Sequence, residues 1–143
     1  MPDIYHDFPI TAHIEPVYAA ISTPAGLDCW WTKRCRGNPT EGAVYELWFG
    51  PEYDWRARVT KAHHASEFEI QITDAHPDWL NTRLGFRLGH DGKSTNVHFY
   101  HTGWPEANEH WRISCYCWAM YLRIMRRYLE HGDVVPYENR LDV

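Results

Sequence analysis

The side chains here that could move a proton are one histidine and two tyrosines. His101 ends the alternating segment Thr95, Val97, Phe99, His101, just before Gly103-Trp104. An imidazole titrates near neutrality and a half-buried setting tunes it, so His101 is the candidate general acid or base. Tyr45 and Tyr121 add phenol tips among apolar neighbours, as expected of groups that orient a ligand. No carboxylate is placed by spacing to orient the imidazole. A structural histidine bonded to a backbone carbonyl is the plainer expectation for the same position.

Other chemistries lack their residue patterns. The chain has ten histidines. His98 and His101, three apart on a strand, point to opposite faces, and His63-His64 are adjacent, so neither pair chelates. There is no H-E-x-x-H and no Cys/His finger spacing, and no metal is expected. The thiols are Cys29, Cys35, Cys115 and Cys117. Without C-x-x-C, and with Cys115 and Cys117 about 200° apart on a helix, they read as free, partly buried thiols. G-x-S-x-G, G-x-G-x-x-G and Walker A patterns are all missing. No catalytic motif is identified and no cofactor is expected.

The elements that would position these residues come from one domain, 1–143. The chain has 143 residues, with 44% hydrophobic and 23% charged, which suits a packed globular fold. Eight Trp, nine Tyr and five Phe make it aromatic-rich. A net charge of −5 without a Lys/Arg run argues against nucleic acid or an anionic membrane as partner. No apolar stretch approaches the roughly 20 residues that membrane insertion needs. Met1-Pro2-Asp3 opens no apolar leader, so a cytoplasmic location is expected.

Ile4 to Ala12 alternates as a strand, with Pro9 marking an edge or bulge. Ile14 to Ile21 reads as a short helix. Thr23-Pro24 opens a second one, taken through Leu27 to Trp30-Trp31. After Gly37-Asn38-Pro39, segments at Ala43–Gly50, Trp55–Thr60, Glu67–Thr73 and Leu84–Leu88 alternate, and Asp91-Gly92 turns into Thr95–His101. From Glu109 the period changes: Trp111, Cys115, Trp118, Tyr121, Leu122, Met125 and Leu129 form one stripe of a helix that Gly132 stops. The fold class is therefore α+β, a curved antiparallel β-sheet wrapped around a long C-terminal α-helix, with two short helices between the first and second strands.

This ordered set resembles the helix-grip fold of the START-like (SRPBCC) superfamily, and within it the branch named after the activator of Hsp90 ATPase. The residues that carry the resemblance are Val17-Tyr18, Thr23-Pro24, Gly26-Leu27, Trp30-Trp31-Thr32, Asp78-Trp79, Thr82, Phe86, Gly103-Trp104, Trp118, Tyr121-Leu122, Tyr128-Leu129-Glu130 and Pro136-Tyr137. The resemblance implies a deep apolar pocket between sheet and terminal helix. Its walls would be Trp31, Tyr45, Trp55, Phe68, Ile70, Phe86, Phe99, His101, Trp118, Tyr121 and Met125. Lys33, Arg34 and Arg36 form a basic cluster by its mouth, read first as a solvated turn.

Three functions follow from this reading. The first is a non-enzymatic binder of a small hydrophobic molecule, such as a lipid or polyketide-like aromatic. The second is a cyclase/hydratase-type enzyme using the same pocket. The third is an interaction module that stimulates an Hsp90-type chaperone ATPase. Trp48, His98 and Tyr100 on the outer sheet face raise a homodimer, and Tyr137 and Leu141 are expected to dock the tail.

Overall fold

The computed structural model describes residues 2–143. β1 (Ile4–Ile10) is followed by α1 (Ile14–Ser22) and α2 (Pro24–Asp28). Six strands come next: β2 (Arg34–Arg36), β3 (Val44–Trp48), β4 (Asp54–His63), β5 (Glu67–Asp74), β6 (Arg83–Asp91) and β7 (Ser94–Thr102). Then come α3 (Glu109–His131) and a 3-10 turn at Tyr137–Asp142. The seven strands form one sheet in the order β1-β7-β6-β5-β4-β3-β2. Every neighbouring pair is antiparallel. Register shifts at Arg56/Ala57 and Val59/Lys61 mark irregularities between β4 and β5 that bend such a sheet.

The inward face follows the period of two. Tyr45, Leu47, Ala57, Val59, Phe68, Ile70, Ile72, Leu84, Phe86, Val97, Phe99 and His101 are all buried. Trp118, Leu122 and Met125 of α3 lie buried in the same core. Asn108 caps α3 by accepting from the Trp111 N–H at 2.9 Å, and Gly132, at φ +74°, ends it in the left-handed region. Pro9 sits on β1, an edge strand, where a missing N–H is tolerated.

The outer face holds a buried polar knot. Tyr100 is only 8% exposed because its ring lies over Gly85, where a Cβ would come within 2.6 Å of the Tyr100 hydroxyl oxygen. That hydroxyl donates to Glu69 at 2.6 Å, and Thr60 and Arg83 donate to the same carboxylate at 2.6 and 3.1 Å. Burial pushes Glu69 up, but the three hydrogen bonds outweigh it and hold the carboxyl below its usual range. His98 pairs with Asp7, and Trp48 lies under the guanidinium of Arg34 at 4.3 Å. The three outer aromatics are thus covered or paired by neighbours within the chain.

Four local details differ from the sequence-based expectation. Residues 34–36 form an edge strand rather than a solvated turn, with Cys35 inward and two arginines outward. Charged, very short edges of this kind discourage further pairing. α2 ends at Asp28, so Trp30 and Trp31 follow the helix rather than belong to it. Ile124, outside the predicted stripe, is 1% exposed. In the tail, Tyr137 docks by donating to the Phe49 carbonyl at 3.2 Å, but Leu141 stays 71% exposed.

Arg140 takes the docking role expected of Leu141. Only 3% exposed, it donates to the carbonyls of Val135 (3.1 Å), Thr32 (3.3 Å) and Asp28 (2.7 Å). Its guanidinium also lies 5.4 Å from the Tyr137 ring. These carbonyls cluster where α2 gives way to β2, so the tail straps that corner. An Arg140→Ala variant leaves carbonyls at 28 and 32 without these donors and is expected to cost about 2–3 kcal/mol. Urea unfolding checks it: the midpoint falls with the slope unchanged. A loss below about 0.5 kcal/mol, typical of ordinary surface substitutions, would show that the strap carries no stability.

Candidate functional site

The inward end of β7 places His101 opposite Ile4 of β1 and Leu84 of β6. Three indoles surround it, with ring centroids at 4.6 Å (Trp79), 5.0 Å (Trp104) and 5.9 Å (Trp118). The Trp118 indole N–H donates to His101 Nδ1 at 3.1 Å. An indole only donates, so Nδ1 must carry the lone pair and Nε2 the hydrogen. Nε2 donates to the Thr82 hydroxyl at 2.8 Å, and that hydroxyl donates to the Trp79 carbonyl at 2.5 Å. One directed chain therefore runs from α3 through β7 to the segment just before β6.

This geometry decides the protonation state. A second proton on His101 would set an N–H against the Trp118 N–H. Burial, with a smaller contribution from His110, pushes the imidazole down to about 3. The ring is fully buried and both nitrogens are engaged. As built, His101 is a neutral strut with no lone pair left for a substrate. Its partners are a hydroxyl and an indole, where a backbone carbonyl was expected.

The other predicted wall residues are brought together as packing. Trp118 meets Phe99 at 4.7 Å, Trp31 at 5.2 Å, Trp79 at 5.8 Å and Tyr121 at 6.4 Å. Trp31 also meets Phe49 at 5.4 Å and Trp30 at 6.2 Å, while the Trp30 indole donates to the Ala20 carbonyl at 2.9 Å. Tyr45 gives its hydroxyl hydrogen to the Ser22 carbonyl at 2.5 Å, and burial raises its phenol. Met125 is fully buried, and Trp55 stands half-buried against Trp79 at 5.0 Å. Burial pushes the Tyr121 phenol up to about 12.

The centre of the pocket is filled. Between sheet and helices, Trp31, Phe68, Ile70 and Phe86, with Ile21, Leu27, Trp30 and Leu84, line a void of about 10 Å³. That is about the least that admits one water. Tyr45, Trp55, Phe99, His101, Trp118, Tyr121 and Met125 do not line it. The deep open pocket implied by the resemblance is replaced by stacked indoles, whose volume occupies the grip. The basic cluster lies along β2, where Lys33 and Arg34 sit over Trp48.

The sequence reading passed over two features. The indole N–H groups of Trp79, Trp104 and Trp111 are buried without a hydrogen-bond partner among the described residues. And His76, Asp78 and His110 converge beside Trp104, although 32 positions separate the last two in sequence. Only the meeting of the β5–β6 loop with the start of α3 unites them, so no spacing rule finds them.

The family model for the Activator of Hsp90 ATPase homolog 1-like protein matches residues 11–130. The chain belongs to that family. Among solved structures, the Aha1 dimer from Colwellia psychrerythraea, determined in solution, is similar over 93% of this chain and 99% of its own. It has 28% identity and a TM-score of 0.84. CalU16 from Micromonospora echinospora has 16% identity and a TM-score of 0.73, covering 92% of this chain and 67% of its own. DynU16, a protein of the dynemicin biosynthetic locus, has 17% identity and a TM-score of 0.76, covering 92% and 48%. The last two share the fold with this activator-like domain and carry no statement about its activity. Curated protein sequences give no match.

The depressed imidazole of the activator-like domain sets a pH dependence. The unfolded chain takes up a proton near 6.5 and the folded one only near 3. The contribution of His101 to stability is therefore complete above about pH 6.5 and is lost as pH falls toward 3, by about 1.4 kcal/mol per unit. In an NMR titration from pH 8 to 5, the His101 ring resonances are expected to stay fixed. A His101 midpoint above pH 5 would refute the directed chain.

Proposed function

We propose that this domain is a non-enzymatic binding module that engages another protein across its surface, with an Hsp90-type chaperone as the candidate partner. The observation that carries the reading is the filled interior. About 10 Å³ remains among the indoles at the centre of the grip, and the cleft where β1 meets α3, by His6, Phe8 and Leu122, holds about 180 Å³, against the several hundred Å³ typical of a ligand pocket. Membership of the activator family supports the chaperone as partner. So does the likeness, over nearly the full length of both chains, to a protein named as an Aha1.

Self-association belongs to the same reading, since that similar protein is a dimer. The outer face of α3 supports a place for it. Ile113 is 50% exposed and Tyr116, one turn on, 78% exposed. Tyr116 borders a groove shared with Met120, Ile124 and Val143 and edged by arginines. Exposed aromatics flanked by arginine are the composition enriched at protein interfaces.

One observation favours a second reading, a small hydrophobic ligand (a lipid or polyketide-like aromatic) gripped between sheet and α3. The orphan indole N–H groups of Trp79, Trp104 and Trp111 are donors that a bound carbonyl would satisfy. Such a ligand would have to displace Trp30 or Trp31 from the void they line. A cyclase/hydratase activity draws less support, because His101 and Tyr45 already spend their polar atoms on Thr82, Trp118 and Ser22.

Titration of the domain into an Hsp90-type chaperone is expected to raise its ATPase rate saturably, while native mass spectrometry of the domain shows the bare polypeptide. An unchanged rate together with a reproducible small-molecule adduct would overturn this reading in favour of the second. For the self-association surface, Tyr116→Glu is expected to leave the fold intact and to move the population toward monomer in light scattering. A variant population no more monomeric than wild type would place the contact elsewhere.

A further inference from the structure

The cluster of His76, Asp78 and His110 has no part in the reading above, and its chemistry is that of a metal ligand set. We propose that it binds one divalent first-row transition metal ion, with Zn²⁺ as the natural occupant, and so fastens the β5–β6 loop to the first turn of α3. Two imidazoles and a carboxylate are the ligand types that suit such ions.

The geometry supports it. Asp78 Oδ2 lies 2.9 Å from His110 Nδ1 and 3.9 Å from His76 Nδ1, and the three donor atoms all lie within 4.8 Å of one another. Bonds of about 2.0–2.1 Å in a tetrahedral site put ligand atoms about 3.3 Å apart, so side-chain shifts on the order of 1 Å close the set. The two rings meet edge to face, 4.6 Å between centroids.

Each ligand can present a lone pair. His76 Nδ1 accepts the Asp78 backbone N–H at 3.1 Å, so the lone pair is on that nitrogen, 3.9 Å from Asp78 Oδ2. Metal binding would give up that hydrogen bond. His110 would exchange its Nδ1–H bond to Asp78 for the tautomer protonated at Nε2, with no net change in protons.

The surroundings hold the set in place. The Asn108 side-chain N–H donates to Asp78 Oδ2 at 3.2 Å while its oxygen caps α3, so the residue that starts the helix also aims the carboxylate. In the loop, Trp79 and Leu80 both donate their backbone N–H to the His76 carbonyl. Side-chain exposure grades outward, 20% for Asp78, 35% for His110 and 52% for His76, which leaves the remaining coordination position to water. Among the described residues the other close histidine–carboxylate pairs, His63–Glu41, His64–Glu15, His98–Asp7 and His131–Glu130, each bring one imidazole to one carboxylate.

The test is calorimetric titration of the full chain with ZnCl₂ at pH 7.5, with Co²⁺ as a spectroscopic stand-in. One saturable equivalent is expected, with visible ligand-field bands for Co²⁺ and a higher melting temperature. His76→Ala, at an exposed position that spares the fold, and His110→Ala should each abolish saturable binding, whereas His63→Ala and His64→Ala leave it intact. Absence of a stoichiometric step in the wild type, or its survival in His76→Ala, would overturn the proposal.

Discussion

A hydrogen bond from the Trp118 indole to the His101 ring is the contact on which the grip closes. Burying the Trp118 indole of α3 against an apolar sheet costs least when its N–H finds an acceptor, since a lost partner costs about 1–3 kcal/mol. His101 supplies it, and can do so only while neutral, with its other nitrogen turned to Thr82. Thr82 in turn passes its hydrogen to the backbone of Trp79. The polar atoms are satisfied in one direction only, so the chain fixes helix, strand and loop relative to one another as apolar contact alone would not. Trp79 and Phe99 then pack on the Trp118 ring that this bond has aimed.

The same constraint shapes function. A helix gripped by a curved sheet leaves a space whose contents the sequence chooses, and here it is filled with tryptophan. Trp30 and Trp31 come in from the end of α2, Trp79 from the loop before β6 and Trp118 from α3, and their rings meet. A residue that would be read as an acid or base is drawn into this mass as its polar fastener. Outside the grip, the exposed side of α3 carries the arginine-edged groove beside Tyr116.

Most of the architecture was legible because the strands keep a strict period of two and α3 keeps one broad stripe. β2 was missed because three residues are too few to show a period, and the charges at 34 and 36 look like a turn. Ile124 escaped because its burial comes from the side of α3 away from the main stripe. Glu69 and Tyr100 show the limit of alternation: both point outward, yet each buries the other over Gly85. For the site, the sequence named the right neighbours and could not say that their volumes leave no room. Nor could it order a hydrogen-bond chain among Trp118, His101 and Thr82, or join His76 to His110, since both depend on segments that meet only when folded.

The pairing of the first strand with the last has a consequence for how this protein is made. Ile4 lies opposite His101, Thr11 donates to Glu130 119 positions on, and Arg140 reaches back 112 positions to Asp28. On a ribosome, the hairpins from β3 to β7 can form as they emerge, but β1 has no partner until β7 is out, and the inner sheet face stays bare until α3 follows. During that interval the apolar inner face, with Tyr45, Phe68, Phe86 and Phe99, has no helix to cover it. Contacts this distant in sequence also slow the search for the native state. The sheet is thus made first and its cover last, and the fold closes only when α3 arrives.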